Sequence, residues 1–415
     1  MTFLFLFLAI VVGVLSDRRK QWIIPMTILL LPSYQLRAAI FGVPTTLLEL
    51  SLYGIAAACL LNTPGNLTER LKKFFSVRER PLRAVLIIFF VAATLAAALS
   101  PEARAAFGIW KAYIIAAMLV FFIARWAAAG NRGMLQSVAA SSSVLLLFIA
   151  LVSAAQWWRL LPINDPLWSQ PETFRATSIF PYPNAVGLLA APLTVLIAGV
   201  LAGSGFRLIF LAGFLSGIAS IALAQSQGAM LAVVAGLLVI MVFPTLSHRM
   251  RSLAILGSVI VIIVFPILPI EQYLKPYAKN HPSALLRLEQ WQETKRILQL
   301  NPFMGGGLAN YQNAVAPYHA AERSGESFLY PHHLTLALWS EFGLLGLLAF
   351  WSIMAITIRT LLHSLERPNG AATALPILAA LVAMLAHGFV DVPYLKNDLS
   401  ALTWMIIALS TTHHE

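Results

Sequence analysis

The sequence predicts an all-α integral membrane protein that crosses the bilayer many times. Of its 415 residues, 59% are hydrophobic and only 11% are charged, whereas soluble proteins carry about 25% charged residues. Long apolar runs recur along the whole chain, and a helix needs about 20 residues to cross the hydrocarbon core. Because the backbone must satisfy its own hydrogen bonds there, these runs should be helices.

Thirteen apolar runs qualify as predicted spans. The first two are short and together can form one span with a re-entrant or interfacial piece, so we expect about twelve spans in a single membrane domain covering residues 1–415. The runs cover residues 2–16, 22–36, 39–62, 84–100, 107–124, 133–156, 185–202, 208–223, 229–246, 252–270, 334–358, 371–389 and 399–411.

Lys and Arg are distributed unequally between the two sets of connecting loops. One set holds 16 of the 28 basic residues, while the short loops of the other set hold six. Since basic residues favour cytoplasmic loops, we place the loops 157–184 and 271–333 outside the cytoplasm. The net charge of +11 is then a signal of topology and no nucleic-acid partner is expected. The basic stretch 69–80 is interpreted as a cytoplasmic loop that faces anionic membrane lipids.

Some classes of site are excluded by what the chain lacks. The lone Cys59 lies inside a predicted span, which excludes a disulfide framework and a thiol-ligated metal site. The sequence has no glycine-rich loop with a lysine for binding nucleotide phosphates. We therefore expect no cofactor and no metal, and the energy for any reaction must arrive with the substrate.

The outward loop 157–184 contains Arg175, although basic residues are more frequent in the cytoplasmic loops. Its aromatic residues suit the headgroup level of the membrane, and its prolines forbid a regular helix around Arg175. A guanidinium offers a forked, permanently charged set of donors that suits phosphate. The alternative is an arginine that only extends towards lipid headgroups.

The longer outward loop, 271–333, is far above the usual length of a connection, which suggests that it is functional. Ser283 can cap a helix over residues 284–299, and Arg287 lies in its first turns. Pro302 ends that helix, and three glycines follow it. At the end of the loop, His332 and His333 precede an apolar helix, so a titratable base lies near the membrane boundary.

These motifs, in this order, resemble the O-antigen ligases. His332-His333, nine residues, and then Gly343-Leu344-Leu345-Gly346 is similar to the signature His-(Asn/Ser/Gln)-x9-Gly-x-x-Gly of that family. The turn at residues 302–307 is similar to the family's Pro-x-x-Gly-x-Gly. The positions of Arg175 and Arg287 also match arginines of the superfamily. The chain departs from the pattern at His333, and at residues 226–228, which read Ser-Gln-Gly.

The resemblance implies a GT-C-like glycosyltransferase at the periplasmic face of a bacterial inner membrane. The donor would be a glycan on undecaprenyl pyrophosphate and the acceptor would be lipid A–core oligosaccharide. Arg175 and Arg287 would bind the pyrophosphate. His332 would act as the base, with inversion at the anomeric carbon. His333 and Asp391 are lower-ranked candidates for the site.

Two alternatives stay open at this stage. An O-antigen polymerase or a protein O-oligosaccharyltransferase would use the same donor with another acceptor, and the sequence separates these activities poorly. An anion transporter would also need many spans and outward arginines. Such a transporter should show paired repeats with interrupted spans, and we find no clear internal repeat.

Overall fold

The computed structural model describes most of the chain. The described residues are 20–40, 42–129, 133–204, 207–247, 249–251, 263, 276, 282–319, 329–368 and 370–411. The predicted span 2–16 lies outside them, as does the predicted span 252–270 apart from residue 263.

The described chain is mostly helical. Its elements, in chain order, are α1 (Ile23–Leu30), β1 (Arg37–Ile40), β2 (Val43–Thr46), α2 (Leu47–Asn62), α3 (Leu67–Phe74), α4 (Arg80–Ala98), α5 (Ala103–Ala128), α6 (Met134–Trp157), α7 (Pro166–Ser169), α8 (Pro183–Ser204), α9 (Leu208–Leu223), α10 (Gln227–Val242), α11 (Pro282–Leu300), α12 (Tyr311–Val315), α13 (Leu334–Ser364), α14 (Ala371–His387) and α15 (Asn397–Thr411).

Among the described residues, five helices are long and apolar enough to cross a membrane, namely α4, α5, α6, α8 and α13. The pair α2 and α3 passes the same test as one unit but is bent by 118°. Three shorter apolar helices, α9, α10 and α14, coincide with further predicted spans. The prediction of a polytopic helical membrane protein is confirmed at this level, while the number of twelve spans remains a prediction.

The prediction of one helix over residues 39–62 is wrong at its N-terminal end. Strands β1 and β2 form an antiparallel hairpin there, and α2 begins only at Leu47. Thr46 and Glu49 set this boundary through a reciprocal capping box, in which each side chain accepts a hydrogen bond from the other's backbone N–H. Apolar residues in the hairpin made its hydropathy look like that of a span.

The centre of the bundle is α8, which packs against α6, α9, α10 and α14. Its side chains are buried over most of its length, including Leu188, Leu189 and Ile197. Since α8 begins at Pro183, at the end of the predicted loop 157–184, its burial fixes the position of that loop relative to α14 and the residues that follow α14.

Helix α13 is interrupted at Gly343, which has φ 69° and ψ 179°. The break opens the helical hydrogen bond that would join Leu344 N–H to the Ser340 carbonyl. The glycine-rich turn after α11 supplies both missing partners. Leu344 N donates to Phe303 O at 2.9 Å, and Gly306 N donates to Ser340 O at 2.8 Å. The turn that follows Pro302 therefore docks into the break and attaches the described segment 282–319 of the long loop to the bundle.

Gly343→Ala should destabilise the protein. A Cβ at this position would lie 2.4 Å from the Phe303 carbonyl oxygen, and a positive φ costs a non-glycine residue about 1–3 kcal/mol. We expect a lower melting temperature in detergent. The matched control is Gly108→Ala in α5, where a Cβ would meet nothing within 4 Å; equal melting of the two variants would contradict the role of the break.

Candidate functional site

A cavity of about 350 Å³ lies between the loop before α8, the first turns of α11 and the segment before α13. Arg175, Arg287 and His332 all line it, although they are far apart in sequence. The three residues that the motifs singled out are therefore brought together by the fold.

His332 presents its imidazole to this cavity from a strained backbone. Its φ of 44° lies in the left-handed region, which costs a non-glycine residue about 1–3 kcal/mol and is found more often at functional sites. The side chain is 29% exposed, and Nδ1 lies 3.1 Å from Oδ1 of Asp391. The ring also contacts Tyr330 edge to face at 5.2 Å between centroids.

Asp391 is buried behind His332, with 1% of its side chain exposed. Burial alone raises the pKa of a carboxyl group, but the hydrogen bonds from His332 and the Val392 N–H, together with the neighbouring imidazoles of His332 and His387, oppose this effect, and the pKa of Asp391 is lowered to about 2. The carboxyl group is therefore ionised and can only accept hydrogen bonds. His332 must then donate from Nδ1, which leaves Nε2 of a neutral ring as a proton acceptor.

A chain of polar contacts links this pair to Arg175. The second carboxylate oxygen of Asp391 faces Asn184 Nδ2 at 3.4 Å. Asn184 accepts a hydrogen bond from Nη2 of Arg175 at 2.8 Å through its side-chain oxygen. The Asp391 carboxylate and the Asn184 amide therefore orient both the His332 imidazole and the Arg175 guanidinium.

Arg175 is held by main-chain carbonyls of the turn between α9 and α10. Its Nε donates to Ala224 O at 2.9 Å and its Nη2 donates to Gln225 O at 3.1 Å. The guanidinium also lies 5.3 Å from the ring centroid of Trp168. These contacts fix the direction of the group without neutralising its charge.

Arg287 is also held by main-chain carbonyls. Its Nε donates to Val390 O at 2.8 Å, and its Nη1 donates to Ser283 O at 3.0 Å. The pKa of Arg175 is lowered by its burial and by the positive charge of Arg287. Within the described part of the chain, no carboxylate lies at ion-pair distance from either guanidinium. Two half-buried like charges at one cavity favour a bound anion.

Arg175 and Arg287 also line a second cavity, of about 410 Å³. This cavity is bounded by the first turn of α10, including Gln227 and Leu231. Leu231 is 51% exposed, on the outer face of an apolar helix. The arginine pair therefore separates two spaces, one towards His332 and the other towards the outside of the bundle.

His333 points away from both cavities and is fully buried. Its ring packs edge to face on Trp291 and Phe389. Its Nδ1 accepts a hydrogen bond from Thr335 N at 3.2 Å and caps α13. Burial, aided by the charge of Lys295, lowers the pKa of His333 to about 3, so the ring is neutral. The geometry gives this residue a structural place and leaves His332 as the imidazole in the cavity.

The sequence reasoning missed a buried lysine behind the cavity. Lys396 lies 3.5 Å from Asp398 and within 5.6 Å of the ring centroids of Tyr34, Phe180 and Tyr182. The Tyr182 hydroxyl in turn lies 3.1 Å from that of Tyr330 beside His332. In the sequence, Lys396 and Asp398 form a charged pair between two apolar spans, and charged residues in such a place are often functional. This pair could have been selected from the sequence.

Part of the chain matches a known protein family. Residues 211–351 match the family model described as O-antigen ligase. The matched region contains Arg287, His332 and the helix break at Gly343, but neither Arg175 nor Asp391. The match confirms the resemblance that the motifs indicated. No protein with a curated function matches the chain.

His333→Ala should lower the melting temperature, because loss of a helix N-cap costs about 0.5–2 kcal/mol and removal of the buried ring leaves a cavity. His333→Asn should retain more of the stability, since Asn is a favoured N-cap residue. Thermal unfolding of the two purified variants checks this. If both melt like the wild type, the capping role assigned to His333 is wrong.

Proposed function

We propose that this protein, whose residues 211–351 match the O-antigen ligase family, is a lipid-linked glycan ligase. In this proposal it transfers O-antigen polysaccharide from undecaprenyl pyrophosphate to lipid A–core oligosaccharide, on the periplasmic face of the bacterial inner membrane. The observation that carries the proposal is one cavity lined by two arginines and a histidine. Among the described residues no carboxylate lies at ion-pair distance from the arginines, and a buried aspartate lies behind the histidine.

The arginine pair supplies the binding of the leaving group. Arg175 and Arg287 would contact the pyrophosphate and offset the negative charge that develops when its bond to the anomeric carbon breaks. Arginine suits this role because its planar fork binds phosphate oxygens in pairs. The fixed main-chain contacts of both guanidinium groups mean that little reorganisation accompanies the reaction.

His332 supplies the base. Its Nε2 would accept the proton of the acceptor hydroxyl while that oxygen forms a bond to the anomeric carbon. The bond from this carbon to the pyrophosphate oxygen breaks with its electron pair, and the lipid pyrophosphate leaves. Asp391 would stabilise the protonated imidazole. Direct displacement inverts the anomeric configuration.

The two cavities suit a reaction with two amphiphilic substrates. The cavity beside His332 would take the acceptor sugar, with Trp168, Tyr182 and Tyr330 in its lining. The arginines reach both cavities, so a pyrophosphate bound to them can carry its glycan towards His332.

A polymerase or a protein O-oligosaccharyltransferase shares this donor chemistry and differs in its acceptor. In vitro transfer from undecaprenyl-pyrophosphate glycan, with lipid A–core, a second donor and a pilin peptide as competing acceptors, separates these activities. We expect lipid A–core to be glycosylated. Exclusive transfer to the second donor would identify a polymerase, and exclusive transfer to the peptide would identify a protein O-oligosaccharyltransferase. If no acceptor is glycosylated from this donor, the proposal is wrong.

An anion transporter needs arginines but has no use for a histidine–aspartate base.

His332→Ala should reduce kcat by about 10²–10⁴-fold, the usual contribution of a general base. His333→Asn is the matched control because it changes the neighbouring imidazole outside the cavities. Steady-state transfer assays of both folded variants check this. Wild-type kcat in His332→Ala would overturn the assignment of the base.

Arg287→Gln should raise the KM for the lipid-pyrophosphate donor by about 10–100-fold, because hydrogen bonds to charged groups contribute about 1.5–3 kcal/mol. The control is Arg296→Gln, which removes the same charge from an exposed position of α11. Donor kinetics that respond equally in both variants would show a general charge effect and contradict a binding role for Arg287.

Chelation should leave the reaction unchanged, since the two guanidinium groups provide the positive charge at the leaving group. The transfer rate is measured with and without EDTA at constant donor concentration. Loss of activity that Mg²⁺ or Mn²⁺ restores would show that the chemistry depends on a metal.

A further inference from the structure

A third cavity, of about 280 Å³, lies at the other end of the helices from His332. Four cationic side chains contribute to its lining, namely Lys20, Lys73, Arg78 and Arg125. We call it the basic cleft. It is built from the end of α5, the turn between α2 and α3, the end of α3 and the segment after it, and Lys20 before α1.

The basic cleft is far from the cavity of His332. Helix α5 begins beside the glycine-rich turn, where Ser100 Oγ donates to Leu308 O at 2.6 Å, and it ends at the basic cleft. Its 26 residues, at about 1.5 Å each, place the two ends about 39 Å apart. The cleft is therefore a separate site and not an extension of the catalytic cavity.

The walls of the basic cleft are fixed by contacts within the protein. The Trp126 indole donates to Thr63 Oγ1 at 3.0 Å, and Lys20 Nζ lies 4.7 Å from the centroid of its ring. Arg125 donates to Thr411 Oγ1 at 2.6 Å and lies 3.5 Å from Glu79. Lys73 Nζ donates to the main-chain carbonyl of Pro64 at 3.1 Å. Among the described residues that line the cleft, four side chains are cationic and none is a carboxylate. Such a lining favours an anionic ligand with several acceptor oxygens.

Helix α3 has the features of a helix that lies at the level of lipid headgroups. It bends by 118° from α2 and carries Lys72 and Lys73 on its polar side. Leu67, Leu71 and Phe75 recur at intervals of four residues and are 69%, 38% and 45% exposed, so they form one apolar stripe. A short helix with an apolar stripe and basic residues lies in the plane of the membrane interface.

We propose that the basic cleft binds the phosphate group of an anionic phospholipid. The exposed apolar stripe of α3 would face the acyl-chain boundary, and the cationic side chains would surround the phosphate. Inorganic phosphate presents the same oxygens without the acyl chains, so it is the other source of this chemistry. The inference is independent of the glycosyl transfer proposed for the opposite end.

The test compares ligand-induced thermal stabilisation of the full-length protein in detergent at constant ionic strength. The probes are dioctanoyl phosphatidylglycerol, dioctanoyl phosphatidylcholine and inorganic phosphate. We expect saturable stabilisation by the anionic lipid and none by the zwitterionic one. Lys73→Gln should weaken the apparent affinity about tenfold, as expected for one hydrogen bond to a charged group.

Lys72→Gln is the matched control, because it removes the same charge from the adjacent exposed residue, which does not line the cleft. If only inorganic phosphate stabilises the protein, and only Lys73→Gln weakens this effect, the basic cleft is a phosphate site that takes a soluble ligand. Equal weakening in the two variants, or absence of stabilisation by either phosphate source, would overturn the proposal. Both variants change exposed side chains, and their melting without ligand reports whether the fold is intact.

Discussion

The candidate site depends on one buried carboxylate. Asp391 is almost completely shielded from solvent, and an ionised group in that position is stable only when its oxygens are hydrogen-bonded. His332, Asn184 and the Val392 N–H meet this requirement. Because Asn184 also accepts from Arg175, satisfying the carboxylate aligns the imidazole and one arginine at the same time. Arg287 joins them through the carbonyl of the preceding residue, Val390.

The described segment 282–319 of the long loop packs on the bundle, and the break in α13 is where its glycine-rich turn is attached. The glycine-rich turn fills the backbone hydrogen bonds opened at Gly343, and the Trp339 indole donates to the carbonyl of Pro302 at 2.6 Å. Upstream, Leu288, Trp291 and Leu298 of α11 pack on Leu336 of α13. These contacts hold α11 in one orientation and thereby set the position of Arg287. Gly343 of the motif therefore has a structural role, which is to open the break that receives the turn. This role is separate from the proposed chemistry of His332.

Hydropathy and motif spacing predicted the helical membrane class and the residues that the fold brings together. Arg175, Arg287 and His332 could be selected because their order and their placement in the outward loops resemble the motifs of the O-antigen ligases. Other features depend on tertiary contacts that no local pattern records. The hairpin that ends at Thr46 has the hydropathy of a membrane span. In the sequence, Gly343 cannot be told from an ordinary helical glycine, because its positive φ depends on the docked turn. The His332–Asp391 contact joins residues that are 59 positions apart. Motif spacing in the sequence already favoured His332 over His333, and the structure adds that the two adjacent imidazoles face different surroundings: His332 lines the cavity and His333 is buried.

The central claim is that Asp391 orients His332 as the base, and Asp391→Asn tests it most directly. The substitution retains the size of the side chain and removes the charge that fixes the imidazole tautomer. Steady-state kinetics of glycan transfer, measured on variant protein that melts as a folded species, should show kcat reduced by about 10²–10⁴-fold with the donor KM nearly unchanged. A folded Asp391→Asn variant with wild-type kcat would contradict the account.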